Sequence, residues 1–548
     1  MGLADDLKRA VRGDVDDSDA ARELTSRDAS VYRVVPEVVV RPRDEKDIQA
    51  LVTFVSDKKR KGEEISLTPR SAGTDMSGGP LTTSIVVDML KYFSGVKKVV
   101  DGHAEVLPGT YFRDFDTATK LSGQELPSYT ASREICTVGG MVGNNAGGEK
   151  NLKYGKTARY VESLDVVMAD GMVHTLKNLE GAALTAKLRE HGFEGGVYRA
   201  CSSILQNNKI VIEKAKPTVE KNSSGYALWD IGDGITKLNL ARLMVGAQGT
   251  LGIITNIQFA LTKPEPYSSM LVVFVKDIND LGPFIPEVLK FKPDSFESYD
   301  DHTFSLAVKY FPEFAAQMKT NIISLVLSFL PEMWMVLTGG VPKLVLMIEF
   351  RGESQAAVLQ KVRELYDHLD PLSMTERMHI VKNERAARKY WTIRHEAFNL
   401  LRKKVRGRRT APIIDDFVVP PPSLPEFLPK LTAILDSYRF PYAVTGHVGD
   451  GNFHIFPLLD FKDPRIASLM RELVEKVHSL VLSYKGSISG EHNDGLIRTP
   501  YVEAQFGHEM YALFTQIKKI FDPLNIFNPG KKVGLTLDQA AAHLDTSK

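Results

Sequence analysis

Seven of the ten residues from Gly139 to Gly148 are glycine or asparagine, in the run TVGGMVGNNAGG. Such a segment loses more conformational freedom on folding than ordinary chain. It is expected where backbone must approach a ligand or another backbone closely. Two further segments repeat the pattern. PRSAGTDMSGGP, with Gly73, Gly78 and Gly79, lies between the strand-like runs ISLTPR and SIVVDML; GAQGTLGIIT spans 246–255. Successive amides in such loops form concavities for anions such as a pyrophosphate, and Ser71, Thr74 and Ser77 add hydroxyl donors. One glycine-rich turn alone is an ordinary loop; three in one chain point to a shared ligand. None matches GxGxxG after a strand or GxxxxGK[ST], which argues against a Rossmann dinucleotide site and a P-loop.

A chain of 548 residues is expected to hold two or three domains. Residues 1–30 read as a polar helical lead-in. From 31 to 262, β and α patterns alternate in two α+β units. EKDIQALVTFVSDKK there places Ile48, Leu51, Val52 and Val55 at helical spacing. The prolines of KPEPY mark a boundary, and 263–440 reads as a separate α+β domain with an antiparallel sheet. Residues 441–534 carry the densest polar chemistry, and 535–548 reads as a loose tail.

Composition excludes several classes. A formal net charge of +1 gives no field that favours nucleic acid. Two cysteines cannot supply the four thiolates of an iron–sulfur cluster, so a cluster-bearing partner is expected on another polypeptide. The charged start MGLADDLKRA lacks the apolar core of a secretory signal. Cytoplasmic residence is therefore expected, with peripheral contact at the inner face of a membrane as the alternative. The most apolar stretch, 321–348, is interrupted by Pro331, Gly339, Gly340 and Pro342; a helix, a turn and a buried strand is expected, with a monotopic membrane contact as the alternative. The basic run RKKVRGRR at 402–409 reads as a solvated face or as a patch for an anionic surface. The oligomeric state is left open.

The segment YAVTGHVGDGNFHIFPLL contains two strand-like runs around Asp450-Gly451, a two-residue hairpin signal. That turn would make His447 face His454, with two imidazoles converging on one point. A metal is one occupant; a hydrogen-bonded histidine pair is the other. Some forty residues on, GSISGEHNDGLIRTP offers Glu491 and His492. A carboxylate there would complete a two-histidine, one-carboxylate set with open positions.

Together these motifs resemble the FAD-linked oxidases of the vanillyl-alcohol-oxidase superfamily. The match is to the branch of D-lactate dehydrogenase, the glycolate oxidase flavoprotein subunit and D-2-hydroxyglutarate dehydrogenase, and it covers about 31–534. The resemblance implies an α+β fold with a two-part FAD-binding domain and a substrate cap. It implies pyrophosphate contacts from Arg70, Ser71, Ala72, Gly73, Thr74, Asp75, Ser77 and Gly78. Pro127, Thr137, Gly139, Gly140, Gly143, Asn144, Asn145, Gly147 and Gly148 would surround the rest of the cofactor, with Gly249, Gly252 and Ile253. Glu491 and Asn528 would lie beside it, and Lys531 would return towards the flavin. With no histidine between Arg70 and Pro80, FAD is expected to be non-covalent.

The resemblance further implies His447, His454 and Glu491 as ligands of a divalent metal (zinc, manganese or iron). It implies His492 as base, Asn452 as a substrate contact, and Arg394, with Arg498 as a second candidate, for a substrate carboxylate. The implied reaction is oxidation of a small 2-hydroxy acid, with electrons passing to a quinone, a cytochrome or an iron–sulfur partner protein. Asn493 and Asp494 depart from the usual pattern; Asp494 would raise the basicity of His492 or cap the turn. IIDDFVVP offers Asp415 and Asp416 where hydroxyglutarate enzymes carry a lysine, which counts against that substrate. A transferase resembling alkyl-dihydroxyacetone-phosphate synthase is one rival, but the histidine run of its members is absent here. A non-catalytic flavin subunit is the other, and the intact histidine motifs count against it.

Overall fold

The computed structural model describes residues 2–277, 281–301, 303, 340–372, 377–404 and 408–547. Its strands fall into three sheets that follow one another along the chain. The first holds β1 (Asp14–Asp16), β2 (Val38–Arg41), β3 (Leu67–Arg70) and β4 (Ile85–Asp88) in the order β1-β2-β4-β3. β2, β4 and β3 are parallel, and β1 adds antiparallel to the edge. The lead-in expected over 1–30 is thus built into this sheet. Parallel pairing needs a crossover, and the helix Glu45–Arg60 supplies it. Ile48, Leu51, Val52 and Val55 pack on Val38, Val40, Ile85 and Val87, as their spacing predicts.

The second sheet is antiparallel: β5 (Val96–Val100), β6 (His103–Val106), β7 (Val161–Val167), β8 (Val173–Glu180), β9 (Lys237–Asn239) and β10 (Ile253–Ala260), ordered β5-β6-β10-β7-β8-β9. The third holds β11 (Tyr267–Val275), β12 (Ser295–Asp300), β13 (Leu344–Gly352), β14 (Arg377–Val381), β15 (Arg409–Thr410), β16 (Ile414–Val418), β17 (Tyr442–His447) and β18 (Asn452–Leu459). Its order is β14-β11-β13-β12-β17-β18-β15, with β16 also paired to β18. The strands at 441–459 therefore complete the cap sheet instead of forming a segment of their own.

Each cap strand alternates between two faces. Phe296, Ile348, Phe453 and Ile455 face one way, into a core with the helices Gln355–Leu369, Leu424–Ser437 and Ile466–Ser483. Tyr299 and Met347 face the other way, against Ala387, Tyr390 and Ile393 of the helix Glu384–Lys404. The polar residues of the site lie on this second face.

The tail is docked, contrary to the expectation of a loose end. The helix Leu537–Ala541 begins with a capping box of Thr536 and Gln539. Leu544 bridges to Tyr32, and Asp545 pairs with Arg27 at 2.8 Å. Most of the stretch 321–348 lies outside the described residues, although its end is β13, the expected buried strand. Residues 405–407 of the basic run 402–409 also lie outside them. Among the described residues no helix is long and apolar enough to cross a membrane.

Candidate active site

The three glycine segments meet in one cleft between the first two sheets. Arg70, Ser71, Ala72, Gly73, Thr74 and Asp75 line one wall. Thr137, Gly139, Gly140, Gly143 and Asn144 form a second, and Gly249 and Gly252 close it. Side chains lock the loops together. Asp75 accepts from Asn144 Nδ2 at 2.6 Å and from the amide of Gly79 at 2.7 Å. Gln248 donates to Ser77 Oγ and to Asn144 Oδ1, each at 3.2 Å. Two glycines are obligatory for close approach. A Cβ on Gly139 would lie 2.6 Å from the carbonyl oxygen of Pro108, and Gly249 turns at φ +69° against the ring of Pro69.

The lining of the cleft fits an anionic group. Arg70 is buried in its wall, and its Nη1 finds no hydrogen-bond partner among the described residues. Burial pushes the Arg70 pKa down, against the pull of Asp28, Asp88 and Asp75. A buried cation with an unmet donor calls for an anionic partner, and a pyrophosphate meets both needs.

Other residues expected at the cofactor stand behind the wall. Ser77 is buried under its loop and donates through its hydroxyl to Asp75 Oδ2, while Gly78 packs on Leu496. Pro127 and Ile253 are buried. Asn145 closes its helix in the left-handed region and accepts from the amide of Ala158. Gly147 packs between Glu491 and Lys156, and Gly148 against the carbonyl of Tyr129. Asn528 bonds to Thr68 and to the carbonyls of Gly79 and Gln248, so it braces two loops. Lys531 donates to the carbonyl of Leu81.

The loop after Ser489 leads from this cleft to the histidine cluster. Asn493 Nδ2 donates to the carbonyls of Asn144 (3.1 Å) and Gly246 (2.9 Å). The amide of Gly495 donates to Gln248, and that of Leu496 to the carbonyl of Ser77. Asn493 has φ +70°, a backbone state that asparagine tolerates better than most residues. Asp494 accepts from Gly225 N and Lys532 Nζ. It therefore acts in the turn and does not touch His492.

The hairpin between β17 and β18 differs from expectation in its turn. Val448–Asp450 forms a short 3₁₀ turn and Gly451 is left-handed, so His447 pairs with Asn452 and Thr445 with His454. His454 is thus diagonal to His447 on the same face. Convergence survives, with ring centroids 5.1 Å apart. The Nε2 atoms of both rings lie 3.2 Å from Glu491 Oε1.

The far side of each ring fixes its orientation. His454 Nδ1 lies 2.6 Å from the carbonyl oxygen of Asp415, which only accepts. Its proton therefore sits on Nδ1, and Nε2 turns a lone pair towards Glu491. His447 Nδ1 lies 2.6 Å from Glu297 Oε1. Burial keeps the His454 pKa low, while His447 is raised against burial by Glu297 and Glu491. Two imidazole nitrogens and a carboxylate oxygen converging in a buried space suit a divalent cation. A second grouping, Asp416, His454, Glu491 and His492, also comes within 4.8 Å. Asp416, however, already accepts from the amides of Glu491 and His492, from Asn452 Nδ2 and from Ser489 Oγ. His447, His454 and Glu491 are the better set.

Asp415 and Asp416 sit at a register shift between Ile414 and Phe417, where β16 bulges against β18. Bulges redirect side chains next to active sites. Asp415 Oδ2 lies 2.8 Å from His492 Nδ1, and the guanidinium of Arg498 holds Oδ1. Arg498 is buried, and it also donates to the carbonyls of Ile488 and Asn493. It supports the loop and is not free to meet a substrate. Asn452 is likewise buried and committed, donating to Asp416 and Phe417 and accepting from Lys221. Its expected substrate contact gives way to a bracing role, because every polar atom is already used. Arg394 pairs with Glu297 and stands 3.5 Å from His447 Nδ1, while its Nε finds no partner among the described residues.

The sequence did not mark Glu297, Lys156 or Lys221. Lys156 reaches the carbonyls of Asn222 (2.7 Å) and Gly490 (2.8 Å), and burial pushes its pKa down to about 7. Lys221 lies 2.9 Å from Glu491 Oε2. Against burial, Lys221 and His447 hold the Glu491 carboxyl well below the usual carboxylate range. Against burial too, Asp416 and Asp415 raise His492 to about 9.

Residues 36–177 match the FAD binding domain family, and residues 264–532 match the C-terminal domain of the FAD linked oxidases. The chain belongs to the FAD-linked oxidases. Within this family it is 30% identical to D-2-hydroxyglutarate dehydrogenase of Pseudomonas putida, over 95% of this chain and 50% of that protein. It therefore spans about half the length of that relative. It is 25% identical to glycolate oxidase subunit GlcD of Bacillus subtilis, over 94% of this chain and 93% of that one. Among solved structures, 4-ethylphenol oxidase from Gulosibacter chungangensis shares the FAD-linked oxidase fold. Its TM-score is 0.66 at 16% identity, covering 95% of this chain and 94% of that chain.

Proposed function

We propose that this chain is an FAD-dependent dehydrogenase that oxidises a small D-2-hydroxy acid, lactate- or glycolate-like, to the 2-oxo acid. The observation that carries the proposal is the convergence of His447 Nε2 and His454 Nε2 on Glu491 Oε1 beside the Asp415-backed His492. Relatives named for hydroxyglutarate, glycolate and D-lactate support a 2-hydroxy-acid head group.

The chain's residues divide the work. Arg394, whose Nε has no partner among the described residues, receives the substrate carboxylate; guanidinium suits that planar group. His447, His454 and Glu491 would hold a divalent cation, which supplies Lewis-acid polarisation of the substrate oxygens. His492 takes the hydroxyl proton on Nε2, since Asp415 engages Nδ1. A cation on Glu491 would oppose the carboxylates that raise His492 and favour the neutral ring a base requires. Bound FAD supplies the acceptor for the hydride from the substrate α-carbon. The oxidation as a whole would require an external electron acceptor.

The test is anaerobic bleaching of the flavin by a panel of D- and L-hydroxy acids, together with metal analysis of the purified protein. Bleaching by one or more D-2-hydroxy acids with a stoichiometric divalent metal is expected. A flavin that no member of the panel reduces would overturn the proposal.

A further inference from the structure

We propose that Lys221 is a positioning residue that holds Glu491 Oε2, so that the carboxylate offers only Oε1 to the space between His447 and His454. The inference rests on the cation site proposed above and concerns how that site is kept open. Lys221 is fully buried, and its ammonium lies 2.9 Å from Glu491 Oε2 and 3.7 Å from Asp450 Oδ2. Its third neighbour is Asn452 Oδ1 at 3.0 Å. That amide is oriented from behind, because its Nδ2 donates to Asp416 at 3.1 Å and to the carbonyl of Phe417 at 3.0 Å. The side of Oε2 is closed further by the backbone at Gly147, where a Cβ would come within 3.3 Å.

The two oxygens of Glu491 therefore face different chemistry. Oε1 meets two imidazole nitrogens at 3.2 Å each, and Oε2 meets a lysine. A carboxylate free on both oxygens can chelate a cation and fill a position the substrate needs. The ammonium also offsets one negative charge of the site, so it moderates metal affinity while keeping coordination open. A lysine present only to neutralise buried charge would not need a neighbour aimed at it by two further hydrogen bonds.

The experiment uses the FAD-loaded protein with Co²⁺ in place of the resident metal. Visible absorption and the rate of cobalt release to a chelator are compared for wild type, Lys221→Met and Lys221→Arg. Lys221→Met is expected to keep its FAD, to lose cobalt absorption intensity as a further oxygen joins the ion, and to release cobalt on the order of tenfold more slowly, because the site gains a ligand oxygen and loses an opposing positive charge. Lys221→Arg, which keeps the charge, is expected to retain the wild-type spectrum. If Lys221→Met does not fold, Lys221→Gln is judged by the same two readouts. A wild-type cobalt spectrum that the uncharged variant reproduces, with an unchanged release rate, would overturn the inference and leave the cation site standing. Wild-type protein that takes up no cobalt would remove both.

Discussion

His492 Nδ1 lies 2.8 Å from the carboxylate of Asp415, which leaves its Nε2 as the only ring atom able to accept a proton. His492→Ala is expected to keep FAD and lose substrate reduction by about 10²–10⁴-fold. Asp415→Asn, which removes the orienting charge, is expected to fall in the same direction with FAD still bound. Stopped-flow flavin bleaching at saturating substrate measures both. Wild-type bleaching by His492→Ala would reject the base assignment.

Arg498 is a stability prediction. Its guanidinium meets Asp415 and two carbonyls inside the protein. Arg498→Met leaves a buried carboxylate without its cation, at a cost of about 3–5 kcal/mol. Arg498→Lys recovers only part of this, because one ammonium cannot reproduce three directed donors. A fall in the thermal midpoint of Arg498→Met, larger than that of Arg498→Lys, is the expected result. Equal midpoints for all three proteins would count against the role.

Arg70 belongs to the cleft. Arg70→Met removes a donor with no partner among the described residues, so FAD should bind about ten- to a hundredfold more weakly, the worth of one charge-assisted hydrogen bond. Titration of the apoprotein with FAD gives the answer, and unaltered affinity would place the pyrophosphate elsewhere.

The fourth prediction concerns pH. His174 hydrogen-bonds to Asp170 (2.9 Å) and to Glu194 (3.2 Å), and these partners raise its pKa to about 9. A raised value means that the folded protein holds the proton more tightly than the unfolded chain. Stability from this group is therefore complete below the ordinary histidine pKa of about 6.5, and it is lost as pH rises through about 9. His174→Gln should lower the thermal midpoint clearly near about pH 6 and little near about pH 10. A deficit that does not shrink with pH would contradict the assignment.

Much of the site was legible because its motifs carry their chemistry locally. Glycine and asparagine at 139–148 announced a close-packed cleft, and the alternation of 442–459 put His447 and His454 on one face. The turn was misjudged because Val448 and Gly449 join Asp450 and Gly451 in it, and a two-residue signal does not exclude a longer loop. Asp415 and Asp416 were noticed only as the absence of a lysine. Their role depends on a bulge, and a bulge depends on how β16 meets β18, which no local pattern encodes. Lys221 and Glu297 lie in stretches with no motif of their own. A buried charge acquires meaning only from partners far away in sequence: Lys221 meets Glu491 and Asn452 across more than 200 residues.

The alternation of β18 has a consequence for how this chain can vary. Phe453 and Ile455 point into the apolar core of the cap, and His454 points away from it. Removing or adding one residue between Asn452 and His454 would exchange those destinations. The imidazole would be driven among hydrocarbon side chains and a phenyl ring would take its place beside Glu491. Length changes there are tolerable only in even numbers, so this short stretch should be among the least permissive to insertions and deletions in the protein.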